Sequence, residues 1–196
     1  DEIESANTER RRMQERVVAA ALERLETTFD PDRDALVVEA GTPEDGWHRG
    51  VLGIAASKVA QTVSRPVLLL SREDGRVGGS GRTWGRTPLH ERIAPVARRH
   101  EAEFGGHHAA IGLSVAASAF ADFRGDAQAA FAESRDEEEW SVVLEADAPL
   151  RASEVTTELV EGLGRLEPHG MGNPRTLFLL RSLSWNGRGR PVGDQG

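Results

Sequence analysis

Between Ala35 and Leu70 the spacing of apolar residues changes period twice, and no other feature of the chain restricts its fold so tightly. Ala35 to Ala40 (ALVVEA) is a short β-rich run between turn residues. Gly50 to Val63 then repeats apolar side chains at helical spacing through Val51, Ile54, Ala55 and Val59. Arg65-Pro66 ends that helix before the apolar run Val67 to Leu70. Strand, helix and strand in so short a span form a βαβ unit, which favours parallel pairing through a right-handed crossover and places this region in a layered α/β sheet.

The flanking segments extend the pattern. Asn7 to Glu26 predicts a helix, capped by Asn7 or Thr8, with Val18, Ala21, Leu22 and Leu25 as its apolar stripe. Glu73-Asp74-Gly75 is a turn into Arg76 to Thr83, which predicts a hairpin. Leu89 to Glu103 predicts a helix with Pro95 inside it, Ala109 to Ala116 a strand, and Ala117 to Ala132 an Ala-rich helix. Seven acidic residues against Arg135 between Glu133 and Asp147 look like a solvated connector. Beyond it come a strand (Trp140 to Ala146), a helix (Ser153 to Leu163), a Gly/Pro loop (Pro168 to Pro174), a strand (Thr176 to Trp185) and a Gly-rich tail. So few strands cannot close a barrel of five. With 196 residues, 38% hydrophobic and 29% charged, the chain suits one large domain or two small ones.

Composition narrows the chemistry. No apolar run approaches the ~20 residues of a membrane span, so no membrane partner is expected. There is no cysteine, which excludes disulfide scaffolds, thiolate zinc sites and cysteine nucleophiles, and points to a reducing, cytoplasmic compartment. The first residue is Asp1, which suggests a piece of a longer protein. A net charge of −8 argues against a general nucleic-acid binder, yet Gly75 to His100 carries six arginines against Glu91 alone.

Three small motifs carry candidate chemistry. Gly78-Gly79-Ser80-Gly81-Arg82-Thr83 sets small residues beside a guanidinium and two hydroxyls, which suits a phosphate cradle or a plain glycine-rich turn. Trp84 stands where a dinucleotide fingerprint would have its third glycine, and no Gly-Lys-Ser/Thr follows. Gly105-Gly106-His107-His108 places imidazoles at a helix-to-strand corner, as ligand-binding groups or as a packing pair. With Glu101 and Glu103 on the preceding helix and no second carboxylate pair nearby, a metal held by this chain alone is not expected. Gly46-Trp47-His48-Arg49-Gly50 precedes the crossover helix, where open α/β sheets keep ligands. There Trp47 either supports a site or packs under the loop, and His48 either joins that site or caps a backbone group. Asp30-Pro31-Asp32 and Asp32-Arg33-Asp34 mimic metal-binding pairs but sit in a proline turn.

In order and spacing, GWHRGVLGI (residues 46–54), GSGRT (79–83) and GGHHAAIG (105–112) resemble the DHHA1 domain of the DHH phosphoesterase superfamily. LEPHGMGNP (166–174) followed by Phe178 is similar to the opening of the OB-fold in the single-stranded-DNA exonucleases of that superfamily, and Asn7 to Leu25 to their connecting helix. The resemblance implies a connecting helix (1–29), a DHHA1-type layered α/β domain (30–135) and an incomplete OB-type β-barrel (136–196). It implies Mn²⁺- or Mg²⁺-dependent hydrolysis of single-stranded DNA from a 5′ end, in repair and recombination. The ions would be held by an N-terminal DHH domain, since this sequence contains no Asp-His-His. No residue of this chain would then be catalytic in its own right. Ser80, Arg82 and Thr83 would bind phosphate, Gly105, Gly106 and His107 would line the cleft opposite the metals, and Trp47 and His48 would support it. The pattern departs from the family at His108 and Thr83. Implied partners are single-stranded DNA, the DHH domain, and a single-strand-binding protein or helicase. Two other functions remain open: a non-catalytic module binding nucleic acid or a phosphorylated ligand, and a phosphoesterase acting on short oligoribonucleotides.

Overall fold

The computed structural model describes residues 2–132, 140–141, 145–181 and 183–184. Most of the acidic connector and the Gly-rich tail therefore lie outside the described residues. Packing divides the chain into two compact units, Asp1–Val142 and Val143–Gly196.

The first unit is built on a five-stranded mixed sheet. Helix α1 (Glu2–Thr28) leads to β1 (Val37–Gly41), α2 (Arg49–Val63), β2 (Val67–Glu73), β3 (Arg76–Arg82), α3 (Leu89–Arg99), β4 (Glu103–His107), β5 (Ala110–Ala116) and α4 (Phe120–Ala132). The strand order is β1-β2-β3-β5-β4. β1 and β2 pair in parallel across α2, as the βαβ pattern requires, and the other pairings are antiparallel.

Alternation along the strands separates two cores. On one face Val38, Leu68, Leu70, Val77, Ile111, Leu113 and Val115 pack with α3 and α4 through Leu89, Ile93, Phe120, Phe123 and Phe131. On the other, Val37, Val67 and Leu69 pack under α2 and α1 through Trp47, Leu52, Val59, Val17 and Ala21. The buried stripe of α1 is Gln14, Val17, Ala21 and Leu25, one residue round from the predicted stripe, with Val18 and Leu22 at its margin. The helix also begins ahead of the predicted caps, and the Thr8 hydroxyl donates to the Glu4 carbonyl within it.

The region after α3 differs from expectation. The helix stops at Arg99 because Glu101 adopts a left-handed conformation (φ 51°). The Ala102 amide then donates to the Ala97 carbonyl and that of Glu101 to Arg98, a Schellman termination. Glycine normally marks that position, and a glutamate there leaves no stop signal to read. Glu103 to His107 is therefore an edge strand, so Gly105 to His107 lie in a β-hairpin rather than at a helix-to-strand corner, and Glu101 and Glu103 are not helical.

Trp140, expected in a strand, is helical and packs against the first core, with the Arg65 guanidinium 3.7 Å from its ring centre. In the second unit β6 (Ala148–Leu150) and β7 (Phe178–Leu180) pair in parallel, and α5 (Thr157–Gly164) lies between them in the chain. The helix starts later than predicted because the Thr156 hydroxyl accepts the Leu159 amide at 3.3 Å and caps it. Asn173 closes the Gly/Pro loop, donating from Nδ2 to the Leu166 and Pro168 carbonyls at 2.6 and 3.1 Å. No closed barrel forms among the described residues. Nor, among them, is any helix long and apolar enough to cross a membrane.

Candidate functional site

The face beneath α2 is only half covered. Helix α2 packs on β2 and β3, and beyond β3 the same face continues onto β5 and β4. The register fixes what lies there. Arg82, Ala110 and His107 form one row across β3, β5 and β4; Ser80, Gly112 and Gly105 form the next; Gly78, Ser114 and Glu103 follow. No side chain larger than alanine among these is apolar, so this half of the sheet offers backbone and polar groups where the other half offers Val67 and Leu69. Two motifs separated in sequence thereby share one surface, with Arg82 and His107 two strand spacings, about 10 Å, apart.

Glycines open this surface. A Cβ on Gly105 would meet nothing within 4 Å, and one on Gly112 only the Gly79 carbonyl at 3.9 Å. Along the β4 edge a shallow groove of about 370 Å³ runs past Glu103, Phe104, Gly105, Gly112, Leu113 and Ser114. Gly106 serves a different purpose: its φ is +140°, and a Cβ would strike the Ala110 carbonyl and come within 2.7 Å of the Ile111 Cα. It allows the hairpin to close.

Arg82 lies at the margin between the covered and open halves. Its Nη1 donates to the Gly81 carbonyl at 2.8 Å, and no carboxylate among the described residues pairs with it. Burial holds its pKa below the ordinary guanidinium value. It stays protonated, but as a cation that has lost water without gaining a counter-charge, which is the environment that favours an incoming anion. Room for it comes from Gly53 on α2, where a Cβ would stand 2.6 Å from Arg82 Nη2 and 3.4 Å from Ser80 Oγ. Sequence reasoning passed over Gly53. The available signal was a glycine inside a helix, a choice that costs about 1 kcal/mol against alanine and needs a reason.

The other end of the open face is closed by Arg76. Its guanidinium donates to Ser114 Oγ at 2.8 Å and to the Ser114 carbonyl at 2.9 Å, and pairs with Glu103 at 3.2 Å. That cation is occupied; Arg82 is not.

The remaining predicted residues lie elsewhere. The Thr83 hydroxyl donates to the Thr87 carbonyl at 2.5 Å, so its proton braces the following loop. Trp47 is completely buried, over Gly41 and beneath the Arg24 guanidinium, where it packs. His48 is exposed at the N-terminus of α2 and makes no capping bond. Its neighbour Arg49 pairs with Glu73 at 3.8 Å, whereas Arg82 is in register with Val67 at the other end of β2. Those two levels are about 20 Å apart along the strand. The structure thus brings Ser80, Arg82, Gly105 and His107 together and leaves Thr83 and His48 outside the group.

A hard divalent cation needs several oxygen ligands. The open face carries one carboxylate, Glu103, already paired with Arg76, and no three His, Asp or Glu side chains cluster among the described residues. The donor set here fits an anion and does not fit Mn²⁺ or Mg²⁺.

A family model described as the DHHA1 domain matches residues 33–134, and one described as the RecJ OB domain matches residues 146–196. The chain is 31% identical over 183 residues to the single-stranded-DNA-specific exonuclease RecJ of Bacillus subtilis, covering 92% of this chain and 22% of that protein. It is 29% identical over 182 residues to the RecJ of Escherichia coli, covering 91% of this chain and 31% of that protein. Among solved structures it is similar to RecJ in complex with Mn²⁺ from Thermus thermophilus, with a TM-score of 0.71 and 27% identity over 91% of this chain and 25% of that one. The chain thus spans about a quarter of the length of the proteins it matches.

Proposed function

Because the chain belongs to the DHHA1 domain family, we propose that its open sheet face is the phosphate clamp of a metal-dependent exonuclease acting on single-stranded DNA from a 5′ end, in repair and recombination. One observation carries this reading: strand register gathers Ser80, Arg82, Gly105 and His107 on a glycine-floored surface whose central cation has no counter-charge. In this reading Arg82 and Ser80 hold a terminal or scissile phosphate, and Gly105 and Gly112 let the nucleic-acid backbone approach the sheet. His107 adds a hydrogen-bonding group across the cleft.

Hydrolysis needs ions that the described residues do not fit, so we assign the Mn²⁺ or Mg²⁺ to a DHH domain facing this surface, in a cytoplasmic protein of which residues 30–135 form the clamping domain. Residues 136–196 contribute single-strand affinity. A single-strand-binding protein or helicase would deliver the substrate. On this view the chain by itself binds and does not cut. His48 and Thr83 contribute through the loops they occupy rather than by contact with phosphate.

The test is binding of a short 5′-phosphorylated single strand to the chain across a salt series, wild type beside Arg82→Ala. The reading expects salt-sensitive binding that weakens at least about tenfold in the variant, the loss of ~1.4 kcal/mol. Equal affinity of the two proteins would refute it. Metal-dependent degradation by the pure chain would refute the assignment of the ions elsewhere.

A further inference from the structure

Beyond Arg82 the chain enters the short loop that Thr83 braces. The Thr83 amide donates to the Ala109 carbonyl at 3.1 Å, tying the start of the loop to the turn that joins β4 to β5, immediately after His107 and His108. The loop is closed on itself by the Thr87 amide donating to the Trp84 carbonyl at 3.2 Å and by the Thr83 hydroxyl on the Thr87 carbonyl. Gly85 turns it with φ +58°. Thr87 is fully buried.

Trp84 is held by this closed loop at the Arg82–His107 end of the face, and its ring is only partly buried. The contrast with Trp47 is informative. Trp47 has no exposure and fills the core over Gly41. The buried Nε1–H of each indole has no hydrogen-bond partner among the described residues, so neither ring is held as a donor, and the difference is that Trp84 retains exposed surface. What remains is a rigid aromatic surface two residues from an unpaired, phosphate-directed guanidinium. Their Cα atoms are at most about 7 Å apart, one nucleotide's reach from phosphate to base.

We infer that Trp84 is a stacking platform for the nucleobase attached to the phosphate held by Arg82. Every base has a π-face, so such a platform adds affinity for single strands without reading sequence. It would reject a duplex end, whose bases are already stacked on one another. Arg86, exposed in the same loop, adds positive charge beside it. This inference rests on the phosphate-clamp reading, and the two fail differently.

The experiment measures binding of 5′-phosphorylated single strands, intact and with abasic residues at the 5′ end, to wild type, Trp84→Ala, Trp84→Phe and Arg82→Ala. Trp84→Ala should lose about tenfold on the intact strand and little on the abasic one, and Trp84→Phe should recover most of that loss. Arg82→Ala should lose affinity for both strands. If Trp84→Ala does not fold, the emission difference between wild type and Trp84→Phe during titration with the intact strand reports on Trp84 directly, and quenching of that difference is required. Equal effects of Trp84→Ala on the two strands, no effect on either, or an unquenched Trp84 would overturn the stacking role and leave the clamp standing. A silent Arg82→Ala would overturn the clamp, and no binding of either strand by wild type would overturn both.

Discussion

The two halves of the sheet face under α2 use different residues for different ends. Over β1 and β2 the rows read Val37–Val67 and Glu39–Leu69, and α1, α2 and Trp47 seal them from water. Over β3, β5 and β4 the same rows continue as Arg82, Ala110 and His107, and as Ser80, Gly112 and Gly105. One sheet therefore supplies a rigid, apolar anchor and an open polar surface side by side, with Gly53 at the boundary. The open half is hydrogen-bonded to strands whose side chains are packed on both faces, which holds its binding groups in position.

That division makes stability and binding separable. The largest effect is expected from Trp47→Ala, which empties a fully buried indole site and should cost about 3–5 kcal/mol in urea unfolding, with unchanged oligonucleotide affinity of the molecules that remain folded. A drop in affinity beyond the unfolded fraction would break the comparison. Arg82→Ala should do the reverse: at least about tenfold weaker binding, with stability within about 0.5 kcal/mol of wild type. Gly53→Ala tests the boundary itself. It should raise stability by up to about 1 kcal/mol through helix propensity while weakening binding severalfold, because the new methyl group displaces the Arg82 guanidinium.

The smallest effect belongs to the far side of the sheet, where α3 and α4 are joined by Asp126. Its carboxylate accepts from Arg99 at 2.9 Å and lies 2.8 Å from His100 Nε2, and these bonds, Arg99 first, hold its pKa below the ordinary Asp value. A depressed carboxyl pKa stabilises the fold above the ordinary value near 3.9 and loses that contribution as pH falls through the folded value. Unfolding curves measured from about pH 5 downward should show this acid slope in wild type and a shallower one in Asp126→Asn. Binding at neutral pH should be the same in both.

Much of this could be read before any coordinates. The parallel β1–β2 pair follows from the change of period between Ala35 and Leu70, and the chemical character of GSGRT and GGHH from their residue types. The termination of α3 could not, because a left-handed Glu101 carries no glycine signal, and with it β4 was lost. The fate of hydroxyls and rings was equally hidden: Ser80 and Thr83 look alike in sequence, and only a 2.5 Å bond to the Thr87 carbonyl sets Thr83 apart. Trp47 and Trp84 differ only in what surrounds them.

Sequence by itself determined the alternation of strands and helices and the small, cationic character of the motifs, because periodicity and side-chain chemistry are local properties. Which motif residues meet was decided by tertiary structure. Strand order β3-β5-β4 carries Gly105 and His107 across an intervening strand to the side of Ser80 and Arg82. That juxtaposition arises from hydrogen-bond register between segments far apart in the chain, and no local pattern encodes it.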